Sequence, residues 1–306
     1  MGAQIEKTAL LTNTDGSIYH LSLLPEELAS TVILVGDPGR VPHVSRHFDH
    51  IDVKKTHREF VTHTGWYQDH RLSVVSTGIG SGCVDIVMNE LDALANVDFK
   101  TRMVKESIKK LTFLRLGTCG AIHPSITPGE MIVSRYAIGL DGVFHAYEKD
   151  EELELQALRA VIQSHIRDDL KHSLYIGSGT STMIDHLSSL GHVGLTLTCP
   201  SFFGGQCRSL RLPLRAPFMI ESLETVNFNN DTFLNLEMET ALIFAIGRAL
   251  GHNVASVCTA ISNRVTQEVL SDMPKAIDTM IQASLAQLVN FLKLKQFTVD
   301  TEYPVQ

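Results

Sequence analysis

The stretch RLSVVSTGIGSGCVDIVMNELDALANV, Arg71–Val97, joins three patterns that together define a fold class. It opens with a short apolar run typical of a buried strand and continues through a glycine-rich turn. It ends in a segment whose apolar residues keep a helical spacing, namely Val84, Val87, Met88, Leu91 and Ala95. A strand, a tight turn and an amphipathic helix in this order are the unit from which α/β sheets are built.

The same alternation continues in both directions along the chain. Strands are predicted in TVILVGDPGR, LTFLRLGTCGAI, EMIVSRYAIG, HVGLTLTC and NVASVCTAISNR. Helices are predicted in LELQALRAVIQSHI, NLEMETALIFAIGRALG and AIDTMIQASLAQLVNFLKLK. Because no linker or internal repeat interrupts this order, we expect one α/β domain over residues 1–306, with residues 1–16 as a loosely ordered N-terminal extension.

Composition excludes several classes of function. The 306-residue chain has a net charge of −8, so a broad nucleic-acid surface is not expected. Neither a signal peptide nor an apolar run long enough for a membrane span is present, so no membrane partner is expected. The five cysteines show no CxxC spacing and the 14 histidines no HExxH pattern, so we expect reduced thiols, no metal and a cytoplasmic location.

Arginines recur where predicted strands end in loops. Arg40 follows the turn GDPG, and Arg115 lies inside an apolar strand, where it needs an anion or a carboxylate partner. Arg58, Arg208 and Arg264 occupy similar loop positions. A solvated charge or a structural salt bridge would explain each alone, but together they favour a compact site for a phosphate-bearing ligand.

Two further motifs carry polar groups beside apolar ones. In SFFGGQCRSL, Ser201–Leu210, an extended backbone would point Gln206 and Arg208 to the same side and turn Cys207 away. In NLEMETA, Glu237 and Glu239 stand two apart, so at a helix start one could cap the helix while the other faces a pocket. A carboxylate in a pocket suits sugar hydroxyls.

The ordered set of motifs resembles the nucleoside phosphorylase-I family and, within it, the members that act on uridine. The resemblance runs from Ile18 to Arg264 through IYHLSLLPEEL, ILVGDPGRV, THREF, STGIG, FLRLGTCGAI, FFGGQCR, NLEMETA and ISNR. It implies a three-layer αβα sandwich around a central mixed, barrel-like sheet of the phosphorylase/hydrolase-like type. It also implies a pentosyltransferase of pyrimidine salvage that converts uridine and inorganic phosphate reversibly into uracil and ribose 1-phosphate, with phosphate as co-substrate and no cofactor.

The resemblance assigns roles by position. The phosphate would be held by Gly36, Arg40, Arg115, Thr118 and, from a neighbouring subunit, Arg58. The ribose would be held by Thr118, Met238, Glu239 and, from a neighbouring subunit, His20. The base would be held by Gly120, Phe202, Gln206, Arg208, Glu237, Ile261 and Arg264. Arg115, Glu239, Gln206 and Arg208 are the expected catalytic residues, and the shared sites imply a homo-oligomer, either a dimer or a hexamer built as a trimer of dimers.

Departures from the family pattern leave alternatives open. Some relatives bind a monovalent cation at the dimer interface through a Glu and a Ser, but here Cys83 stands in the Ser position beside Glu59, and hard cations prefer oxygen. A purine nucleoside phosphorylase, a nucleosidase of the same fold, or a non-catalytic nucleoside-binding protein are the competing hypotheses. Asn263 and Arg264, in place of an Asp, disfavour purines, and retention of all three phosphate arginines disfavours the other two.

Overall fold

The computed structural model describes residues 4–148, 152–215, 217 and 220–300, with residues 295–300 described as helical backbone only. The strands are β1 Thr31–Val35, β2 His50–His57, β3 Phe60–Tyr67, β4 His70–Ser76, β5 Val97–Asp98, β6 Met103–Val104, β7 Thr112–Ala121, β8 Met131–Gly139, β9 Tyr175–Ser178, β10 His192–Thr198, β11 Asn227–Phe228, β12 Asp231–Glu237, β13 Asn253–Asn263 and β14 Glu268–Val269. The helices are α1 Arg40–Ser45, α2 Ser81–Asn96, α3 Leu153–Gln163, α4 Asp168–Lys171, α5 Ser181–Leu187, α6 Thr240–Ala249 and α7 Met273–Asp300.

The centre of the molecule is a closed ring of strands. β7 pairs with β13, β13 with β8, β8 with β10 and β10 with β12, and β12 returns to β7. The ring mixes parallel and antiparallel pairs, and an open arm of β1, β4, β3 and β2 continues from β7. This arrangement confirms the expected mixed, barrel-like sheet.

Helices cover the sheet on both faces because apolar residues along a strand alternate between them. In β1, Val32 and Leu34 pack with helices α2 and α6, whereas Ile33 and Val35 pack with α1, α5 and α7. The interior of the ring holds a small cluster of Cys119, Ala121, Ile126, Ile132, Leu234, Cys258 and Ala260. The three-layer sandwich is therefore confirmed, and none of the described helices combines the length and apolarity needed to cross a bilayer.

Two local expectations need correction. The described part of residues 1–16 is not loose, because the guanidinium of Arg102 donates to the carbonyls of Ile5, Glu6 and Leu10, and Leu10 is buried. The segment NLEMETA does not lie within a helix either. Its first residues complete β12, and α6 begins only at Thr240. Asn235, Leu236 and Glu237 pair with β10, so tertiary pairing overrides the helical pattern of the segment at this point.

Candidate active site

A cavity of about 1010 Å³ opens where β1, β7, β12 and β13 end. Loops at the carboxyl ends of strands are the usual place for ligand sites in α/β sheets. Of the residues predicted for the site, those lining the cavity are Gly36, Arg40, Arg115, Thr118, Gly120, Phe202, Gln206, Arg208, Glu237, Met238, Glu239, Ile261 and Arg264. His20 and Arg58 do not line it.

Arg115 is a buried charge in this cavity, with a side chain only 4% exposed. Its Nη2 lies 2.7 Å from Oε2 of Glu239 and 3.0 Å from Oε2 of Glu237, and its Nη1 donates to Sγ of Cys258 at 2.7 Å. Burial disfavours its charge, but the negative groups of Cys258, Glu237 and Glu239 outweigh burial and raise the pKa of Arg115. The arginine thus stays cationic and fixed in one orientation.

Gly117 creates the space for this orientation. A β carbon at residue 117 would lie 2.0 Å from Nη1 of Arg115, far inside any real contact. The arginine side chain therefore folds back over its own strand where no side chain competes for the volume. Gly117 lines the cavity, yet the sequence offers no signal that distinguishes it from an ordinary strand glycine.

Arg40 brings a second buried guanidinium to the same end of the sheet. It begins α1 directly after the turn Gly36–Gly39, in which Oδ1 of Asp37 accepts the N–H of Gly39 at 2.8 Å. Nη1 of Arg40 donates to the carbonyl of Leu116 at 3.2 Å. Burial, and then repulsion from Arg115, lower the pKa of Arg40. Two mutually repelling guanidinium groups are a favourable environment for a bound anion.

Glu237 and Glu239 converge on Arg115 because they lie at the strand-to-helix junction rather than within a helix. Oε2 of Glu237 also accepts the N–H groups of Glu239 and Thr240, both at 2.9 Å, and thereby caps α6. Its Oε1 accepts the hydroxyl of Thr198 at 2.5 Å. Glu237 therefore caps α6 and balances the charge of Arg115, while its contact with the base stays a prediction.

Glu239 joins two loops of the site. Its Oε2 binds Arg115, and its Oε1 accepts the N–H of Gly80 at 2.7 Å. Gly80 has φ +90°, a left-handed backbone that favours glycine, which explains the turn STGIG. The sequence motif contained Gly80, but its contact with Glu239 spans 159 positions and could not be inferred from it.

The segment Ser201–Leu210 is a compact turn and not the extended strand that we expected. Cys207 has φ +54°, its N–H donates to the carbonyl of Gly204, and the N–H of Arg208 donates to that of Phe203. Gln206 and Arg208 still meet, since Nε of Arg208 lies 3.3 Å from Oε1 of Gln206. Their convergence therefore comes from the turn, while the predicted alternation of sides does not apply.

Phe202 and Arg264 both make contacts that hold this turn. The guanidinium of Arg208 lies 4.4 Å from the ring centroid of Phe202, a cation–π contact on a half-exposed ring. Arg264 donates through Nη1 to the carbonyl of Gln206 and through Nη2 to that of Cys207. Arg264 therefore fixes the backbone that carries the polar pair, while its predicted role on the base side stays a prediction.

His20 and Arg58 meet in a separate patch formed by Tyr19, His20, His57, Arg58 and Glu90. Arg58, at φ +55° in the turn between β2 and β3, reaches the hydroxyl of Tyr19 at 3.3 Å. His57 Nδ1 donates to the carbonyl of His20 at 2.9 Å. The two residues expected to act on a neighbouring subunit are thus brought together, outside the lining of the cavity of their own chain.

Glu59 and Cys83 line the cavity near this patch. The Sγ of Cys83 lies 3.8 Å from Oε1 of Glu59, and burial, followed by repulsion from Glu59, raises the pKa of the Cys83 thiol. A neutral thiol is a weak ligand for a hard cation. Within the described part of the chain, no group of three or more His, Cys, Asp or Glu side chains is arranged to hold a metal ion.

Comparison with known proteins defines the class. The family model described as the phosphorylase superfamily matches residues 30–292, so the chain belongs to that superfamily. A uridine phosphorylase of Thermococcus kodakarensis is 31% identical over 260 residues, which is 83% of this chain and 80% of that protein.

A solved structure supports the same class. The Trypanosoma brucei nucleoside phosphorylase, whose crystal structure is described as showing uridine phosphorylase activity, superposes with a TM-score of 0.80 at 26% identity, over 90% of this chain and 99% of that one. A guanosine phosphorylase of Halorubrum lacusprofundi also matches, with 27% identity over 80% of this chain and 83% of that protein.

Proposed function

We propose that the protein is a pentosyltransferase that cleaves uridine with inorganic phosphate to uracil and ribose 1-phosphate, reversibly, as a uridine phosphorylase. This proposal rests on one observation, the arrangement of charged and polar side chains in a single cavity. Its lining includes two buried guanidinium groups, Arg40 and Arg115, a carboxylate, Glu239, and the amide–guanidinium pair of Gln206 and Arg208. Phosphate, ribose and base require groups of these three kinds.

The phosphate side fits the attacking nucleophile. Arg40 and Arg115 supply permanent positive charge, and the hydroxyl of Thr118 and the loop at Gly36 complete a cradle. Within this chain, Glu237 and Glu239 already offset the charge of Arg115. A dianionic phosphate therefore gains from a further cation, and Arg58 of a second copy would supply it.

The base side fits the leaving group. Uracil presents an acceptor at O2, a donor at N3 and an acceptor at O4, and a primary amide with a guanidinium matches this edge. As the glycosidic bond lengthens, uracil gains negative charge, so Gln206 and Arg208 bind the transition state more tightly than the substrate. Each charge-assisted bond contributes about 1.5–3 kcal/mol, so no general acid is required at the base.

The competing purine specificity is disfavoured by Asn263. Its Nδ2 donates to the carbonyls of His123 and Ile126 at 2.9 and 2.7 Å. Its Oδ1 accepts the N–H groups of Val265 and Thr266 at 2.8 and 3.2 Å. An amide has no acidic proton to transfer to a purine at N7, and the hydrogen bonds of this one leave it committed to the backbone. The nucleosidase and the non-catalytic alternatives are disfavoured by the presence of both Arg40 and Arg115 in the cavity.

The active unit is at least a dimer in this proposal, because His20 and Arg58 lie outside the cavity of their own chain. We also propose a cytoplasmic location, supported by cysteines that form no disulfide within the described part of the chain. The deciding experiment measures release of free base from uridine, thymidine and inosine, with and without phosphate. Phosphate-dependent release from uridine, with little from inosine, is expected. Release from inosine at an equal rate, or release without phosphate, would overturn the assignment.

A further inference from the structure

The imidazole of His20 is bound to one residue of helix α2, Glu90. Nδ1 of His20 lies 2.6 Å from Oε1 of Glu90, and the backbone N–H of His20 donates to the same oxygen at 3.0 Å. Oε2 of Glu90 accepts the N–H of Leu21 at 2.9 Å. One carboxylate therefore holds both the ring and the backbone that carries it.

This contact fixes the tautomer of His20. An ionised carboxylate only accepts hydrogen bonds, so the proton of the neutral imidazole lies on Nδ1. Nε2 is then left with a lone pair, and it makes no hydrogen bond to any of the residues that the structure describes. A lone pair at this atom can accept a hydrogen bond from a hydroxyl group.

The orientation of the ring is fixed as well. Glu90 is carried by a helix whose Val87, Met88 and Leu91 are fully buried, so its carboxylate has little freedom to move. The ring of Tyr19 packs edge-to-face on the imidazole at 4.8 Å between centroids. The side chain of Glu90 is 12% exposed and that of His20 is 27% exposed. The histidine is therefore the more accessible of the two to solvent or to a second copy.

We propose that Glu90 is a positioning residue that holds His20 with Nε2 as an acceptor for the ribose 5′-hydroxyl in the active site of a second copy. This inference rests on the proposed function and extends it by one residue. It assigns to the chain a carboxylate–imidazole pair that acts across a subunit boundary, in the way that carboxylates orient catalytic or metal-binding histidines elsewhere.

The test compares uridine with 5′-deoxyuridine, which lacks the hydroxyl that Nε2 would accept. In Glu90→Gln the amide can donate to Nδ1, which moves the ring proton to Nε2 and removes the acceptor. We expect kcat/KM for uridine to fall roughly tenfold, as for one well-placed hydrogen bond, and kcat/KM for 5′-deoxyuridine to fall less than about twofold. The double variant of Glu90→Gln and His20→Ala is expected to be no worse than His20→Ala alone.

Glu106→Gln makes the same chemical change at an exposed position and is the matched control. Glu90→Asp keeps the charge but withdraws the carboxylate by one methylene, and it provides the same comparison if Glu90→Gln does not fold. An equal loss on both substrates, or no loss on either, would overturn the role of Glu90. Failure of the parent protein to release uracil from uridine would instead overturn the proposed function, so the two failures are distinguishable.

Discussion

Substitution of Gly117 by alanine tests how strongly the site depends on the folded-back position of Arg115. The new β carbon would lie 2.0 Å from Nη1 and 2.6 Å from Cζ of Arg115, whereas ordinary contact begins at 3.4 Å. The guanidinium must therefore move by more than an ångström. A displacement of this size breaks its 2.7 Å contacts with Glu239 and Cys258, because hydrogen bonds tolerate far smaller changes.

The magnitude follows from the bonds lost. A charge-assisted hydrogen bond contributes about 1.5–3 kcal/mol, and about 1.4 kcal/mol corresponds to a tenfold change in rate. We expect kcat/KM for phosphate in Gly117→Ala to fall roughly 10- to 100-fold, as for loss of one such bond from the phosphate-binding state. The Tm should fall as well, because Glu239 stays buried after it loses its counter-ion.

The assay is the phosphate dependence of uracil release at saturating uridine, together with the Tm. Gly82→Ala is the matched control, since a β carbon there meets nothing within 4 Å and the residue lies exposed in the first turn of α2. It should keep the parental kinetics and Tm. If Gly117→Ala did the same, the inference that Gly117 provides the space for Arg115 would be refuted.

Three further substitutions or conditions probe other parts of the site. Arg264→Ala removes the donors to the carbonyls of Gln206 and Cys207, so KM for uridine should rise about tenfold with KM for phosphate nearly unchanged; equal rises in both constants would contradict this role. The pKa of Cys258 is lowered to about 7, first by a hydrogen bond from Cys119 and then, against burial, by Arg115. Because this pKa lies below that of a free thiol, ionised Cys258 stabilises the folded state at alkaline pH. This stabilisation is lost as pH falls through about 7. The Tm advantage of the parent over Cys258→Ser should therefore grow from about pH 6 to about pH 9, and a constant difference would speak against a thiolate. Specific activity should fall on dilution as oligomers dissociate, and full activity in a monomer verified by ultracentrifugation would refute the shared site.

The sequence predicted the elements of the site better than their geometry. The buried strand with Arg115 and the turn before Arg40 were evident from apolar runs and glycines, because these signals are local. The start of α6 was misplaced, since the segment NLEMETALIFAIGRALG indicates a helix from its first residues and only pairing of β12 with β10 makes the part up to Glu237 a strand. The partners Gly80 and Cys258 could not be predicted, because each meets Glu239 or Arg115 across more than 100 positions.

The turn at Cys207 shows the same limit. Alternation along an extended chain correctly brought Gln206 and Arg208 together, but for the wrong reason, because the left-handed residue between them reverses the chain. No local signal marked Cys207 for φ +54°, since this region is uncommon for cysteine. The carbonyl contacts from Arg264, more than 50 positions away, hold that turn and are visible only in three dimensions.

The closure of the strand ring by β12 and β7 has a consequence for the local stability of the site. That seam consists of two residue pairs, Asn235 with Ala121 and Leu236 with Gly120, and the next residue along β12 is Glu237. Short seams are the places where a barrel separates first during transient local unfolding. A nucleoside bound by Gly120, Glu239 and Gln206 would contact both sides of this seam. Ligand binding would then slow amide hydrogen exchange at the seam. This short seam would be rigid only while substrate is bound.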